Sequence, residues 1–255
     1  MKSHKLVDNI LYSGEDNMLL FRLHELNECV DIFNIVEGRY SFQGNKKDIV
    51  FDINKFIKFK DKIRYSIYEE LPQRNSGVNI NNLRIFLSSK VYEFNLNDND
   101  ILMLSDVDEI PDTDILTKIR TEKLEEFTFF QNFYYYNIKT RCCFKWKGTA
   151  LVTFEDFKNK YRDFSNLREK KNSFRLVEGG WHFSYFGGEK AIMQKLKTFD
   201  HPEYNTEMYC NSENIKKAIT EGKDLFLNNN GRAERFEIVE ETYLPKYFSL
   251  IKVLF

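Results

Sequence analysis

Asp100-Ile101-Leu102-Met103-Leu104-Ser105-Asp106-Val107-Asp108-Glu109-Ile110-Pro111, or DILMLSDVDEIP, is the stretch that decides how the rest of this chain is read. A short apolar run bounded by polar residues fits a central strand covered on both faces. It ends directly on acids, and in open α/β sheets ligands gather where the strands finish. In extended backbone residues i and i+2 share a face, so Asp106 and Asp108 are predicted to aim two carboxylates at one point while Val107 stays in the core. Hard oxygen ligands of this kind suit Mg²⁺ or Mn²⁺, which also takes substrate phosphate oxygens. The plain alternative is a helix N-cap and first turn with Pro111 at a permitted early position, a role that fits Asp112 or Asp114. An EF-hand loop is excluded: starting at Asp106, it would need Gly where Pro111 stands and Glu where Thr117 stands. An aspartyl-phosphate chemistry, with a carboxylate as nucleophile after an apolar strand, stays open.

Working outward, the first third alternates. Asn17 to Cys29 spaces Met18, Leu19, Leu23 and Leu26 at helical intervals, and Asp31 to Val36 reads as a buried strand. Phe51 to Phe59 predicts a short helix, Lys62 to Tyr68 a strand, and Asn75 to Ser89 a longer helix. Strands separated by helices indicate an α/β fold with a mainly parallel, doubly wound sheet. Beyond it, Phe127 to Tyr136, Cys142 to Trp146 and Thr149 to Phe154 are closely spaced aromatic and β-branched runs, predicted to be antiparallel. Gly188 to Phe199 and Asn211 to Glu221 read as helices. The expectation is one domain over residues 1–255, with a nucleotide-binding half to about residue 125 and an acceptor-side half after it.

Lys and Arg total 38 against 39 Asp and Glu, so the net charge of -1 gives no electrostatic grip on nucleic acid. The 24 Phe and 14 Tyr, with only 11 Gly and 4 Pro, suit packed strands and argue against disorder. Cys29, Cys142, Cys143 and Cys210 lack the spacing of a zinc knuckle or redox pair and are expected to be reduced. The opening MKSHKLVDNILY has one short apolar patch, broken by Asp8 and Asn9, too brief for a signal segment. No run reaches the length of a spanning helix, so the chain reads as cytoplasmic. Tyr243 to Phe255 is apolar enough to touch a membrane peripherally, or to pack as a terminal element on the core.

A second motif, EGGWHFSYFGG from Glu178 to Gly188, concentrates glycine, histidine and aromatics. Paired glycines let backbone approach a ligand closely. His182 is a candidate third metal ligand, against a purely structural histidine, and Trp181, Phe183 and Tyr185 are candidate faces for a sugar or base, against core packing.

These two motifs, with LYSGEDNMLLFRLHEL (11–26), VDIFNIVEGRYSFQG (30–44), QRN (73–75), Lys195 and HPE (201–203), resemble glycosyltransferase family 17, the family of the bisecting β-1,4-N-acetylglucosaminyltransferase of N-glycans. The resemblance implies an A-type glycosyltransferase fold, a UDP-sugar donor such as UDP-N-acetylglucosamine (UDP-GlcNAc), Mn²⁺ or Mg²⁺ at Asp106 and Asp108, and inverting transfer to a glycan acceptor. It also implies donor contacts from Glu37, Arg74, Asp106, Trp181 and Lys195. Leu20 departs from the pattern, standing where an acid is expected, and the anchor and stem of the Golgi enzymes have no counterpart. A single displacement needs a general base, for which position nominates Glu178, with Glu109 beside the acid pair as second choice. A non-catalytic carbohydrate-binding module using the aromatic wall is the rival outside enzymology.

Overall fold

The structure, a computed structural model, describes residues 3–73, 75–198, 201–226, 236–240 and 242–254, with side chains through residue 251. Its middle is strand β1 (Leu6–Tyr12), which pairs in parallel with β2 (Ile32–Gly38) on one side and β4 (Ile101–Ser105) on the other. β3 (Ile63–Tyr68) extends the parallel block beyond β2, giving the order β3-β2-β1-β4. Helix α1 (Asp16–Leu26) follows β1 and α2 (Ser76–Val91) follows β3, and they cover opposite faces. Strand side chains alternate between the two layers: Leu6, Ile10 and Met103 join Phe21 and Leu23 of α1, while Val7, Leu102 and Leu104 join Leu83 and Leu87 of α2. A 3-10 helix (Ile53–Phe59) opens on Asp52, whose carboxylate accepts from the Asn54 amide.

β1 is absent from the sequence expectations because Asp8 and Asn9 interrupt its apolar run. Both are fully buried and bonded. Asp8 pairs with Arg22, and the Asn9 amide donates to the Met103 carbonyl at 3.0 Å and accepts from Asn34 at 2.8 Å. Paired polar groups cost a core far less than orphaned ones, so the strand tolerates them.

Past β4 come β5 (Glu109–Ile110), α3 (Thr113–Ile119), β6 (Phe127–Tyr135), β7 (Thr140–Cys142), β8 (Trp146–Thr153), α4 (Phe154–Asp156), α5 (Phe164–Lys170) and β9 (Arg175–Ser184). They are followed by α6 (Gly188–Thr198), α7 (Ser212–Glu221), β10 (Phe236–Ile238) and α8 (Phe248–Leu254). β8 runs antiparallel to β4 and β6 antiparallel to β8, continuing the same sheet through β7 to β10. One expectation is corrected here: Cys142 to Trp146 is a strand end, a connection and a new strand start. The first part of the glycine motif, to Ser184, lies in β9, which pairs in parallel with β6 and antiparallel with β5.

The C-terminal segment crosses from one half of the sheet to the other. Tyr243 stacks on Trp181 at 4.5 Å, and its hydroxyl accepts from the Gly180 amide at 3.1 Å. The Lys246 and Tyr247 amides donate to Glu25 of α1 at 2.9 and 2.8 Å. Ile251 is buried, and Tyr247, Phe248 and Leu250 pack against the core, as the core-packing alternative for this tail expects. Among the described residues no helix is long and apolar enough to cross a membrane. The four cysteines are free thiols.

Candidate active site

β4 delivers the chain into the acids at the carboxyl edge of the parallel block. The backbone there is not extended: the Glu109 amide donates to the Asp106 carbonyl at 3.0 Å, closing a tight turn. The Glu109 carboxylate accepts from the Asp106 amide at 3.1 Å, so the turn is clamped at both ends. The expected alternation therefore fails as geometry. Asp106 and Asp108 both line one cavity of about 890 Å³, and the largely buried Val107 between them lines it too. Asp112 takes the capping role, accepting from the Asp114 and Ile115 amides of α3 at 2.9 and 3.2 Å.

The two sequence motifs meet at this turn. β5 pairs Glu109 with His182 and Ile110 with Trp181, and the Phe183 amide donates to the Asp108 carbonyl at 2.9 Å. The glycines make this approach possible. A Cβ on Gly180, whose φ is +85°, would meet the Ile110 carbonyl oxygen at 2.3 Å. The close approach Gly180 permits is thus to the backbone of Ile110 to Asp112 just past the acid turn, while Gly179 packs against the Ile115 and Asp112 side chains.

Every carboxylate of the turn faces a cation. Arg168 of α5 reaches Asp106 at 2.7 Å and Glu109 at 3.3 Å, and Arg84 of α2 lies 3.8 Å from Asp106. Lys195 of α6 sits 2.9 Å from Asp108 and His182 Nε2 is 3.5 Å from it. Burial works to raise the Asp108 pKa, but Lys195 and His182 outweigh it and hold the carboxyl well below its ordinary range. Burial likewise opposes ionisation of Glu109, yet Lys171 and Arg168 bring it down to about 2. Lys171 itself is pushed down to about 8 by burial, with Glu109 opposing.

Some nominated residues fall elsewhere. Glu178 is exposed, pairs with Lys145 at 2.7 Å and does not line the cavity. Glu109 has no exposed surface, and its carboxylate is taken up by Trp146 Nε1 at 2.7 Å, Arg168 and the Asp106 amide. Neither is placed to accept a proton from an acceptor. Glu37 is fully buried and braces the 47–51 segment, accepting from the Val50 and Phe51 amides and the Tyr65 hydroxyl at 3.1, 3.2 and 2.8 Å. Trp181 is core, its indole donating to the Tyr243 carbonyl at 2.9 Å. Lys195, His182 and Tyr185 do line the cavity, and Arg74 lies outside the described residues.

Sequence reasoning did not find Arg84, Arg168, Lys171 or Trp146, which reach the turn from distant segments whose local patterns carry no chemical signature. His182 clusters with Phe133, stacked on it at 4.6 Å, and Trp146, tilted against it at 4.8 Å. Among the described residues no three of His, Cys, Asp and Glu converge as a metal cage. Two carboxylates on one turn fit the open type of Mg²⁺ or Mn²⁺ site, in which substrate phosphates complete the shell. A cation bound there would have to displace Arg168 and Lys195 from those carboxylates.

The family model for glycosyltransferase family 17 matches residues 1–232. The chain belongs to glycosyltransferase family 17. Among solved structures, this family 17 chain is similar to a 4-diphosphocytidyl-2C-methyl-D-erythritol synthase, at 11% identity over 70% of this chain and 90% of that one, with a TM-score of 0.43. It is also similar to the inositol-1-phosphate CTP transferase from T. maritima, at 8% identity over 72% and 86% of the chains with a TM-score of 0.37. The apo-form glycosyltransferase GlyE in Streptococcus pneumoniae TIGR4 matches at 11% identity over 69% and 46%, with a TM-score of 0.32. Among curated proteins none matches. Family 17 membership supports a transferase and leaves the phosphatase and binding-module readings without support from the comparisons.

Proposed function

We propose that this chain is a metal-dependent, inverting glycosyltransferase that moves a sugar, N-acetylglucosamine as the leading candidate, from a UDP-sugar to a glycan hydroxyl. The observation that carries the reading is the Asp106–Glu109 turn: two carboxylates at the end of a buried parallel strand, flooring a cavity large enough for a nucleotide-sugar. Asp106 and Asp108 would hold Mn²⁺ or Mg²⁺, whose chemistry is to neutralise the departing diphosphate. Lys195, Arg168 and Arg84 are the side chains positioned to receive phosphate oxygens once the carboxylates are engaged. Phe133, Tyr135, Trp146 and Tyr185, which also line the cavity, offer ring faces for sugars. The proton of the attacking hydroxyl falls to a carboxylate that lines the cavity, which Glu178 does not.

Thermal unfolding measured with a panel of nucleoside diphosphates and UDP-sugars, with and without Mn²⁺, tests this. A ligand that binds only the folded state raises the midpoint, and UDP compounds are expected to do so only with the metal. Asp106→Asn and Asp108→Asn should abolish that response. Equal nucleotide affinity in those variants would refute the proposal. Sugar binding indifferent to metal and nucleotide would favour a non-catalytic carbohydrate role.

A further inference from the structure

The acid turn is held from below as well as from its sides. Arg22 of α1 has no exposed surface, and its Nε and Nη2 each donate to one oxygen of the equally buried Asp8 of β1, both at 2.7 Å. The third arm of the fork is turned away from Asp8. Nη1 donates to the Glu109 carbonyl at 2.6 Å and lies 3.4 and 3.5 Å from the Asp106 and Val107 carbonyls. One guanidinium thus joins the first strand of the sheet to three carbonyl oxygens of the turn.

Stability alone does not account for such a pair, because replacing a buried ion pair by well-packed apolar residues is often neutral or stabilising. The turn supplies a reason. Three acids fall within four residues, and where their side chains point is set by how the backbone of the turn is held. A cation fixed beneath the carbonyls holds that backbone while leaving the Asp106 and Asp108 carboxylates to the cavity. Only arginine has the rigid fork to bind a carboxylate with two donors and reach a carbonyl with a third.

We infer that Asp8 and Arg22 are positioning residues: a buried strut that sets the Asp106–Glu109 turn so that Asp106 and Asp108 face a shared ligand. The inference rests on the reading of these aspartates as the diphosphate–metal site. Arg22→Lys retains the charge opposite Asp8 but not the third arm, and the double variant Asp8→Leu/Arg22→Met removes both charges together.

Two readouts test it. The first is the indole N–H resonance of Trp146, which donates to Glu109 at 2.7 Å, against that of Trp181, which donates to the Tyr243 carbonyl at 2.9 Å. In folded Arg22→Lys the Trp146 signal is expected to shift and the Trp181 signal to stay. The second is the affinity for UDP with Mn²⁺, expected to weaken about 10- to 100-fold in both variants, the usual effect of losing an outer-shell support. Folded variants with an unmoved Trp146 resonance and wild-type affinity overturn the strut while leaving the donor site standing. Loss of the fold in both variants also counts against it, since the pair would then be structural. Wild-type protein that binds UDP no better with Mn²⁺ overturns the donor-site reading, and the strut with it.

Discussion

In the parallel half of the sheet, buried polar side chains are tied to one another. Asp8 is matched by Arg22, Asn9 bridges Met103 and Asn34, and of Asn34 only the carbonyl oxygen is left over. In the mixed half, Gln131 of β6 has neither amide atom bonded and His182 of β9 has a buried Nδ1 without a partner. The difference separates two duties. The first half is a fixed scaffold whose polar groups hold its own parts in place, whereas the second leaves buried groups unbonded, Gln131 beside Gly148 in the interior and His182 where it lines the cavity.

The sharpest way to break this contrast is Arg22→Ala, which leaves the Asp8 charge buried without its partner. It should cost about 3–5 kcal/mol in denaturant unfolding, and a loss below about 1 kcal/mol would show that the scaffold is not held as described. Next, Asp106→Asn should lower sugar transfer by about 100-fold, equivalent to about 2.7 kcal/mol of barrier. Its unfolding free energy should change by less than about 1 kcal/mol, since its side chain is 42% exposed. Comparable losses of activity and stability would instead make the turn a structural element.

A smaller effect comes from acid. Lys195 and His182 hold the folded Asp108 pKa below its ordinary 3.8, so its contribution is fully present above that value and fades as pH falls beneath it. Wild type should therefore exceed Asp108→Asn by about 1–2 kcal/mol near neutral pH, with the gap closing on acidification toward about pH 2. A gap that widened in acid would reverse the assigned sign. Smallest of all, Glu178→Gln should leave transfer unchanged and stability within about 0.5 kcal/mol, because an exposed pair with Lys145 contributes little. A large fall in turnover would return Glu178 to the chemistry.

What the sequence disclosed follows from what is local. The apolar run 101–105 followed at once by acids marked both the central strand and the site edge, and α1, α2, α6 and α7 were visible as periodicity or caps. β1 was not, because the polar pair that disqualifies it in one dimension is neutralised by Arg22 and Asn34, which come from elsewhere in the chain. Glu37 and Trp181 have side chains suited to ligand binding, and only burial shows that they are engaged inside the protein. Glu178 was nominated by its position at the start of the glycine motif, four residues before His182. The intervening Gly179 and Gly180, at φ of +153° and +85°, shift the register of β9 against β6 and part the two residues' surroundings.

The segment from Tyr243 to Ile251 works as a fastener between α1 and β9, although the family match stops at residue 232. Shortening the protein to the matched portion would therefore uncover the Trp181 ring and leave the Glu25 carboxylate in apolar surroundings without its two amide donors. For anyone trimming or fusing this polypeptide, the stretch through Ile251 is part of the folded body and is to be kept.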